Sequence, residues 1–314
     1  MTITVIKPGL LSTIQSRPRI GLRHQGIPAS GAADPLSLAL ANRLVGNVWD
    51  APALEVALLG PTLRFERECG FAITGAVAAI SLNGNVVEPH ATLHASAGDE
   101  LVVGAAEIGA RVYIAFAGGL AAEEILGSTS TNLQAGFGGL QGRALQTGDE
   151  LAVNYASAPE LITPDEFRLP VSSSWAVRAC AASETDQLDA DSLEYLFNTN
   201  WTVDRRADRM GLRLAGAKLT VSSDGRMPSA GVIPGTIQCP EDGAPYVLSV
   251  DAGTVGGYPR IAQVARADRH LLGQLRPGDH VRLLRREPDE AVEALHAKLA
   301  YWREWLPDID EVLL

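Results

Sequence analysis

The stretch "SVDAGTVGGYPRIAQV", Ser249 to Val264, sets an acid, a threonine, three glycines, a tyrosine and a proline between two apolar, strand-like flanks. Glycine in a strand context marks a bulge, a tight bend or the close approach of a ligand. The same pattern of short strands and glycine turns runs outward from it. "MTITVIKPGLLSTIQ" reads as two short strands around Pro8-Gly9. "ALEVALLG", "LRFE", "GFAITGAVAAISLNG", "ARVYIAFAGG" and "WAVRACAA" read as further strands, and Asn83-Gly84 is a hairpin-turn signal. The fold class is therefore mainly β, with few short helices.

Three segments echo one another: "AGDELVV" at 97–103, "TGDELAV" at 147–153 and "PGDHVRL" at 277–283, each a Gly-Asp turn feeding a strand. The clearest helix of the first half is "DPLSLALANRLVG", where Asp34 suits the cap, Pro35 the first position and Gly46 the exit. "DADSLEYLFN" reads as a second helix, capped near Asp189 or Asp191. Residues 155–170 are rich in proline and polar groups and break the strand pattern, so the domain boundary is placed there. The expected division is a β-rich domain over 1–160, a second over 171–287, and a helical tail over 288–314, where Val292, Leu295, Leu299 and Trp302 keep helical spacing.

Composition narrows the function. The 314 residues carry a net charge of -11, which disfavours a nucleic-acid partner. The lysines are Lys7, Lys218 and Lys298, so nearly all positive charge is arginine, which reflects either genomic base composition or bidentate anion holding. Cys69, Cys180 and Cys239 are too few for a disulfide framework. The N-terminus lacks the pattern of a signal peptide, and no apolar run reaches the ~18 residues of a membrane span. The cytoplasm is the expected location.

Generic catalytic motifs are missing. There is no Walker A loop and no Gly-x-Ser-x-Gly elbow. "GFGGLQG" at 136–142 has Gln141 where a dinucleotide fingerprint needs its third glycine. "HATLH" puts His90 and His94 four apart, but in a strand-like segment, so no metal is expected. His24, in a glycine-rich loop, reads either as catalytic or as a turn residue.

Longer segments together resemble one family. They include "HQGIPASGAADPLSLALANRLVGN", "APALEVALLGPTLRFE", "LGSTSTNLQAGFGGLQGRALQTGDEL", "DRMGLRLAG", "SAGVIPGTIQCPEDGAPYVL" and "GTVGGYPRIAQV". Over about residues 1–285 the chain resembles the carboxyltransferase-type proteins that serve as the C component of 5-oxoprolinase, also known as KipA-like or allophanate hydrolase type 2 proteins. The resemblance implies a mainly β fold with a cyclophilin-like barrel and a KipI-like partner, the B component. With a LamB/YcsF-like third protein, the A component, the pair would cleave 5-oxoproline to glutamate with ATP. It also implies two alternatives: the carboxyltransferase half of a biotin-dependent urea or amide carboxylase, and a non-catalytic regulator of a KipI-like kinase inhibitor. Both enzyme readings concern an amide, whose carbonyl must be polarised or whose N–H proton withdrawn by fixed groups in a dry pocket.

On that reading Asp251 accepts an amide proton, Thr254 orients it, Tyr258 closes the pocket or donates its hydroxyl, and Gly256 and Gly257 expose main-chain N–H groups. The alternative for this turn is a β-bulge with a buried tyrosine. Arg209 offers a fork for a carboxylate or phosphate, or else forms an ion pair. Gln238 offers an amide to pair with a substrate amide, or else is a strand residue bonding backbone; Ser229 is nearby, and His24 is the further catalytic candidate. Gly138, Gly139 and Arg143 suggest a flexible loop or lid, or simply a turn. Ser30, Ser128, Thr129 and Ser130 are possible donors, and Asp34 is either a cap or a proton acceptor. Two departures stand out: Ser16 and Ala230 occupy positions where the family usually carries Asp and Glu.

Overall fold

The computed structural model describes residues 2–222 and 227–313. The chain forms two compact units: unit 1 comprises Met1–Arg19, Ser30–Val171 and Trp302–Val312, and unit 2 comprises Ile20–Ala29, Ser172–Tyr301 and Leu313–Leu314. Among the described residues no helix is long and apolar enough to cross a membrane.

Unit 1 holds β1 (Thr2–Lys7), β2 (Leu11–Gln15), α1 (Pro35–Leu44), β3 (Ala53–Ala57), β4 (Thr62–Phe65), β5 (Cys69–Leu82), β6 (Asn85–Val86), β7 (Thr92–Ala95), β8 (Glu100–Phe116) and β9 (Glu150–Ala152). The sheet runs β2-β3-β8-β4-β1-β9, and β5 pairs with β6, β7 and β8. Long strands β5 and β8 lie antiparallel from Phe71 opposite Phe116 to Leu82 opposite Leu101. Phe65 packs on Phe71 and Phe116, with ring centroids 5.3 and 6.3 Å apart, at the centre of the apolar core. Asn83 and Gly84 both take positive φ, 52° and 78°, as a tight hairpin between β5 and β6 requires. Helix α1 is buried all round rather than on one stripe, including Leu36, Leu38, Leu40 and Leu44. It therefore depends on burial rather than on amphipathicity.

Unit 2 holds β10 (Ser174–Ala181), α2 (Ala190–Asn198), β11 (Asn200–Ala207), β12 (Gly211–Ala215), β13 (Ala230–Gly231), β14 (Thr236–Gln238), β15 (Tyr246–Leu248), β16 (Val255–Gly256), β17 (Arg260–Val264), β18 (His280–Arg285) and most of α3 (Pro288–Trp302). Seven strands close a barrel in the order β10-β17-β14-β15-β12-β11-β18, sealed by the parallel pairing of β10 with β18. Trp201 is fully buried, and its indole N–H donates to the Leu196 carbonyl at 3.0 Å, fastening α2 to the barrel. A separate two-stranded ribbon, β13 with β16, sets Ala230 opposite Gly256 and Gly231 opposite Val255.

The three Gly-Asp echoes share one turn. Gly98, Gly148 and Gly278 have φ of 89°, 87° and 93°. Asp99, Asp149 and Asp279 each accept, on Oδ2, the backbone N–H three residues back: Ser96 at 2.7 Å, Gln146 at 2.7 Å and Arg276 at 3.2 Å. Aspartate favours such turns because its carboxylate replaces a backbone acceptor.

The tail, 288–314, is divided between the two units. Residues up to Tyr301 cluster with unit 2, where Lys298 Nζ donates to the Ala267 carbonyl at 2.7 Å. Trp302–Val312 clusters with unit 1, where Trp302 and Trp305 pack on Phe167 at 5.5 and 6.3 Å. The short helix α4 (Ile309–Leu313) follows. Segment 20–29, read from sequence as part of the first domain, clusters with unit 2.

Candidate active site

The ribbon of unit 2 carries Ser229, Thr254, Gly256, Gly257 and Tyr258 on or beside its two strands, with Gln238 against Gly256. Gln238, at the end of β14, is buried, and its Nε2 donates to the Tyr258 carbonyl at 3.2 Å. Its Oε1 accepts no hydrogen bond among the described residues. A Cβ on Gly256 would stand 2.5 Å from Gln238 Nε2, so Gly256 is glycine for room, and its φ is not in the left-handed region. Gly257 is looser: its carbonyl accepts from the Met227 N–H at 3.1 Å, and Ser229 Oγ lies 3.9 Å from its missing Cβ.

Tyr258 is 45% exposed, which separates it from the buried tyrosine of a bulge. Its hydroxyl, with those of Thr254 and Ser229, has no hydrogen-bond partner among the described residues. Three hydroxyls and one amide oxygen on or beside the ribbon thus have no hydrogen-bond partner among the described residues.

Arg209 and Asp251 are arranged differently. The guanidinium donates from Nε to Asp251 Oδ2 at 2.7 Å and from Nη2 to Oδ1 at 3.2 Å, with both side chains buried. The Asp251 N–H also donates to the Arg209 carbonyl at 2.9 Å. A buried carboxylate needs a cation and full hydrogen bonding. The fork offered in sequence to a substrate anion thus faces Asp251, and both oxygens of the proposed proton acceptor are engaged. Arg260 behaves alike, donating to Glu184 at 2.7 and 2.6 Å, with Nη1 reaching the Gly231 carbonyl at 3.3 Å. Arg209 and Arg260 thus close on the protein's own acids.

His24 is exposed in a single 3₁₀ turn, Arg23–Gln25, that ends on Gly26 at φ 80°. Gln25 Nε2 lies 3.3 Å from the His24 Nε2. Its neighbour Arg23, which sequence reasoning passed over, donates from Nη2 to the carbonyls of Val232 at 2.6 Å and Gly253 at 2.9 Å.

The remaining candidates lie in unit 1, and each is closed internally. Arg143 forks onto Asp149 at 2.7 and 2.9 Å; these bonds hold the guanidinium above, and the carboxyl below, its ordinary pKa. Gly138, at φ 77°, faces the Ser130 carbonyl 2.2 Å from where its Cβ would stand, with Arg19 Nη2 at 2.7 Å. Gly139, at φ 54°, faces Thr131 Oγ1 at 2.0 Å. The Gly139 N–H donates to the Thr129 carbonyl at 2.8 Å, and the guanidinium of buried Arg19 lies 4.7 Å above the Phe137 ring. The loop is pinned rather than built as a lid.

Below it, Ser16 sits among hydroxyls. Thr129 Oγ1 donates to Ser16 Oγ at 2.8 Å, the Ser16 N–H donates to Ser130 Oγ at 2.9 Å, and Ser128 and Ser130 donate to the Arg17 carbonyl at 2.6 and 3.1 Å. Ser30 accepts from Asn132 Nδ2 at 3.1 Å. Asp34 caps α1, accepting from the Ser37 N–H at 3.1 Å and its hydroxyl at 2.5 Å. Sequence reasoning missed Glu55. Its carboxylate accepts from Arg111 at 3.2 Å, Tyr113 at 2.7 Å and the Ala33 N–H at 2.8 Å. Burial, then the charges of Glu55 and Asp34, push the Tyr113 hydroxyl well above its ordinary pKa. In "HATLH" Thr92, Leu93 and His94 lie in β7, whereas His90 precedes it at φ 64°; His94 Nε2 lies 2.6 Å from Glu160 Oε1.

Residues 25–285 match the model of the carboxyltransferase domain, subdomain A and B. The chain belongs to this carboxyltransferase-domain family. It is 35% identical over 304 residues to the C component of the Escherichia coli 5-oxoprolinase, covering 96% of this chain and 97% of that one. With the C component of the Haemophilus influenzae 5-oxoprolinase it shares 37% over 272 residues, 86% and 87% of the two chains. Among solved structures it is similar to the urea amidolyase of K. lactis, with a TM-score of 0.91 at 29% identity over 97% of this chain, but only 20% of that one. The mainly β fold with its closed barrel, expected from the resemblance, is shared with the matched part of that urea amidolyase.

Proposed function

We propose that this chain is the C component of an ATP-dependent 5-oxoprolinase, opening 5-oxoproline to glutamate together with a KipI-like and a LamB/YcsF-like partner. The observation that carries this reading is the end-to-end correspondence with proteins named as that component, whereas the urea amidolyase contains the same domain within a much longer chain. The ribbon supports it chemically. A lactam presents one N–H and one carbonyl oxygen; Gln238 Oε1 is an acceptor for the first, and the hydroxyls of Ser229, Thr254 and Tyr258 are donors for the second. Such paired recognition polarises the carbonyl while holding the N–H in line for withdrawal.

ATP acts at the level of the complex: phosphorylation of the lactam oxygen would activate its carbon to water, the ring C–N bond would then break with the nitrogen taking up a proton to leave an acyl phosphate, and a second water would release phosphate and glutamate. In this chain the "GFGGLQG" loop does not fit a phosphate, because Ser130 and Arg19 crowd Gly138 and the Gly139 N–H is bonded to Thr129. No residue of this chain is assigned to ATP.

A second reading, transfer of a carboxyl group from carboxybiotin to urea or a related amide, is favoured by the fold match to urea amidolyase. It would use the same acceptor and donors. The test is co-purification with the KipI-like neighbouring gene product, addition of the LamB/YcsF-like protein, and measurement of ATP hydrolysis. Hydrolysis dependent on 5-oxoproline is expected. Tight association without amide turnover would replace the enzyme reading with a regulatory one.

A further inference from the structure

Ribbon β13–β16 is too short to fix its own geometry. It pairs two residues with two, helped by the Val232 N–H donating to the Thr254 carbonyl at 3.1 Å and that of Met227 to Gly257 at 3.1 Å. Its apolar footing is Val232, Leu248 and Ala252, with Tyr246 against them. An isolated two-stranded ribbon is marginal in water. Yet it carries Ser229 on one arm and Thr254, Gly256, Gly257 and Tyr258 on the other.

Arg23 answers that weakness. Val232 directly follows β13 and Gly253 precedes β16, so one nitrogen, Nη2, holds the root of each arm with one of its two hydrogens. Charge-assisted bonds of this kind are about twice as strong as neutral ones. Arg23 has no carboxylate partner among the described residues, and burial holds its pKa below the ordinary value. In that respect it differs from Arg143, Arg209 and Arg260, whose forks close on acids.

We propose that Arg23 is the positioning residue of the ribbon: it sets the spacing of the two arms and ties to them the turn that carries His24. The substrate role of the arms rests on the reading under "Proposed function"; the clamp itself does not. Arg23→Gln removes the charge and keeps most of the stem, and Arg23→Lys keeps the charge and donor hydrogens.

Amide hydrogen exchange on the full chain tests the clamp without any assay of activity. Arg23→Gln is expected to speed exchange about tenfold over 227–233 and 253–258 and to leave β10 and β18 unchanged, with Arg23→Lys recovering part of the protection. In the assembled complex, kcat/KM for 5-oxoproline should fall about tenfold in Arg23→Gln and be partly rescued in Arg23→Lys. Arms that exchange as in the parent chain, or a rise spread evenly over the barrel, would overturn the proposal. Arms that loosen as expected while the parent complex turns over no 5-oxoproline would support the clamp and remove the substrate reading instead.

Discussion

Two polar clusters of this chain look alike in sequence and differ in structure. In unit 1, Ser16, Ser128, Thr129 and Ser130 bond one another and the Arg17 carbonyl, and Glu55 is met by Arg111, Tyr113 and a backbone N–H. In unit 2, Ser229, Thr254, Tyr258 and Gln238 Oε1 stand along a short ribbon with no partner among the described residues. Satisfied polar groups rigidify a fold, whereas groups held in place without partners are what a ligand can use. Changes in the first cluster should therefore move stability, and changes in the second should move turnover.

The sharpest way to break this contrast lies inside unit 2, at a pair that behaves like unit 1. Asp251→Ala leaves Arg209 buried without its carboxylate and should cost about 3–5 kcal/mol in denaturant unfolding. If stability were untouched and only turnover lost, Asp251 would belong with the open groups. Next in size, Gly256→Ala sets a methyl 2.5 Å from Gln238 Nε2 and must displace that amide; kcat/KM should drop about tenfold or more with the melting temperature nearly unchanged. In unit 1, Glu55→Gln weakens three bonds at a buried site and should cost about 1–3 kcal/mol while turnover per folded molecule is kept.

The units should respond in the same direction to acid. Burial, with the charge of Arg168, pushes His90 down to about 4, and burial, with Lys298, pushes His270 well below its ordinary value. The folded chain then binds fewer protons than the unfolded one, whose histidines titrate near ~6.5. Stability from these groups is fully present above about pH 6.5 and is lost as pH falls toward 4. Melting temperature should decline over that range, and His270→Leu should flatten the decline. The smallest effect expected is Tyr258→Phe, a loss of about tenfold or less in kcat/KM with no change in melting temperature, since the ring remains.

The fold was largely readable because its signals are local: Asn83-Gly84, the Asp34 cap and the three Gly-Asp turns each depend on a few adjacent residues. The closed or open state of a polar group was not readable, because it depends on how the folded backbone aims each side chain and not on separation along the chain. Arg209 and Asp251 are 42 residues apart and Arg143 and Asp149 only 6, yet both forks close on acids. Arg23 escaped notice because its acceptors are carbonyls more than 200 residues away, at 209 and 230 positions' separation. At Gly256 the room that a Cβ would fill is taken by the Gln238 amide, which belongs to another strand and leaves no local trace in the sequence.

The central claim is that the open ribbon grips a small amide through Gln238. Its most direct test is kcat/KM for 5-oxoproline in the assembled complex carrying Gln238→Leu, beside the melting temperature of the same variant. A fall of about a hundredfold at nearly constant melting temperature is predicted, the size of losing a buried hydrogen bond to the reacting group. An unchanged kcat/KM would contradict it.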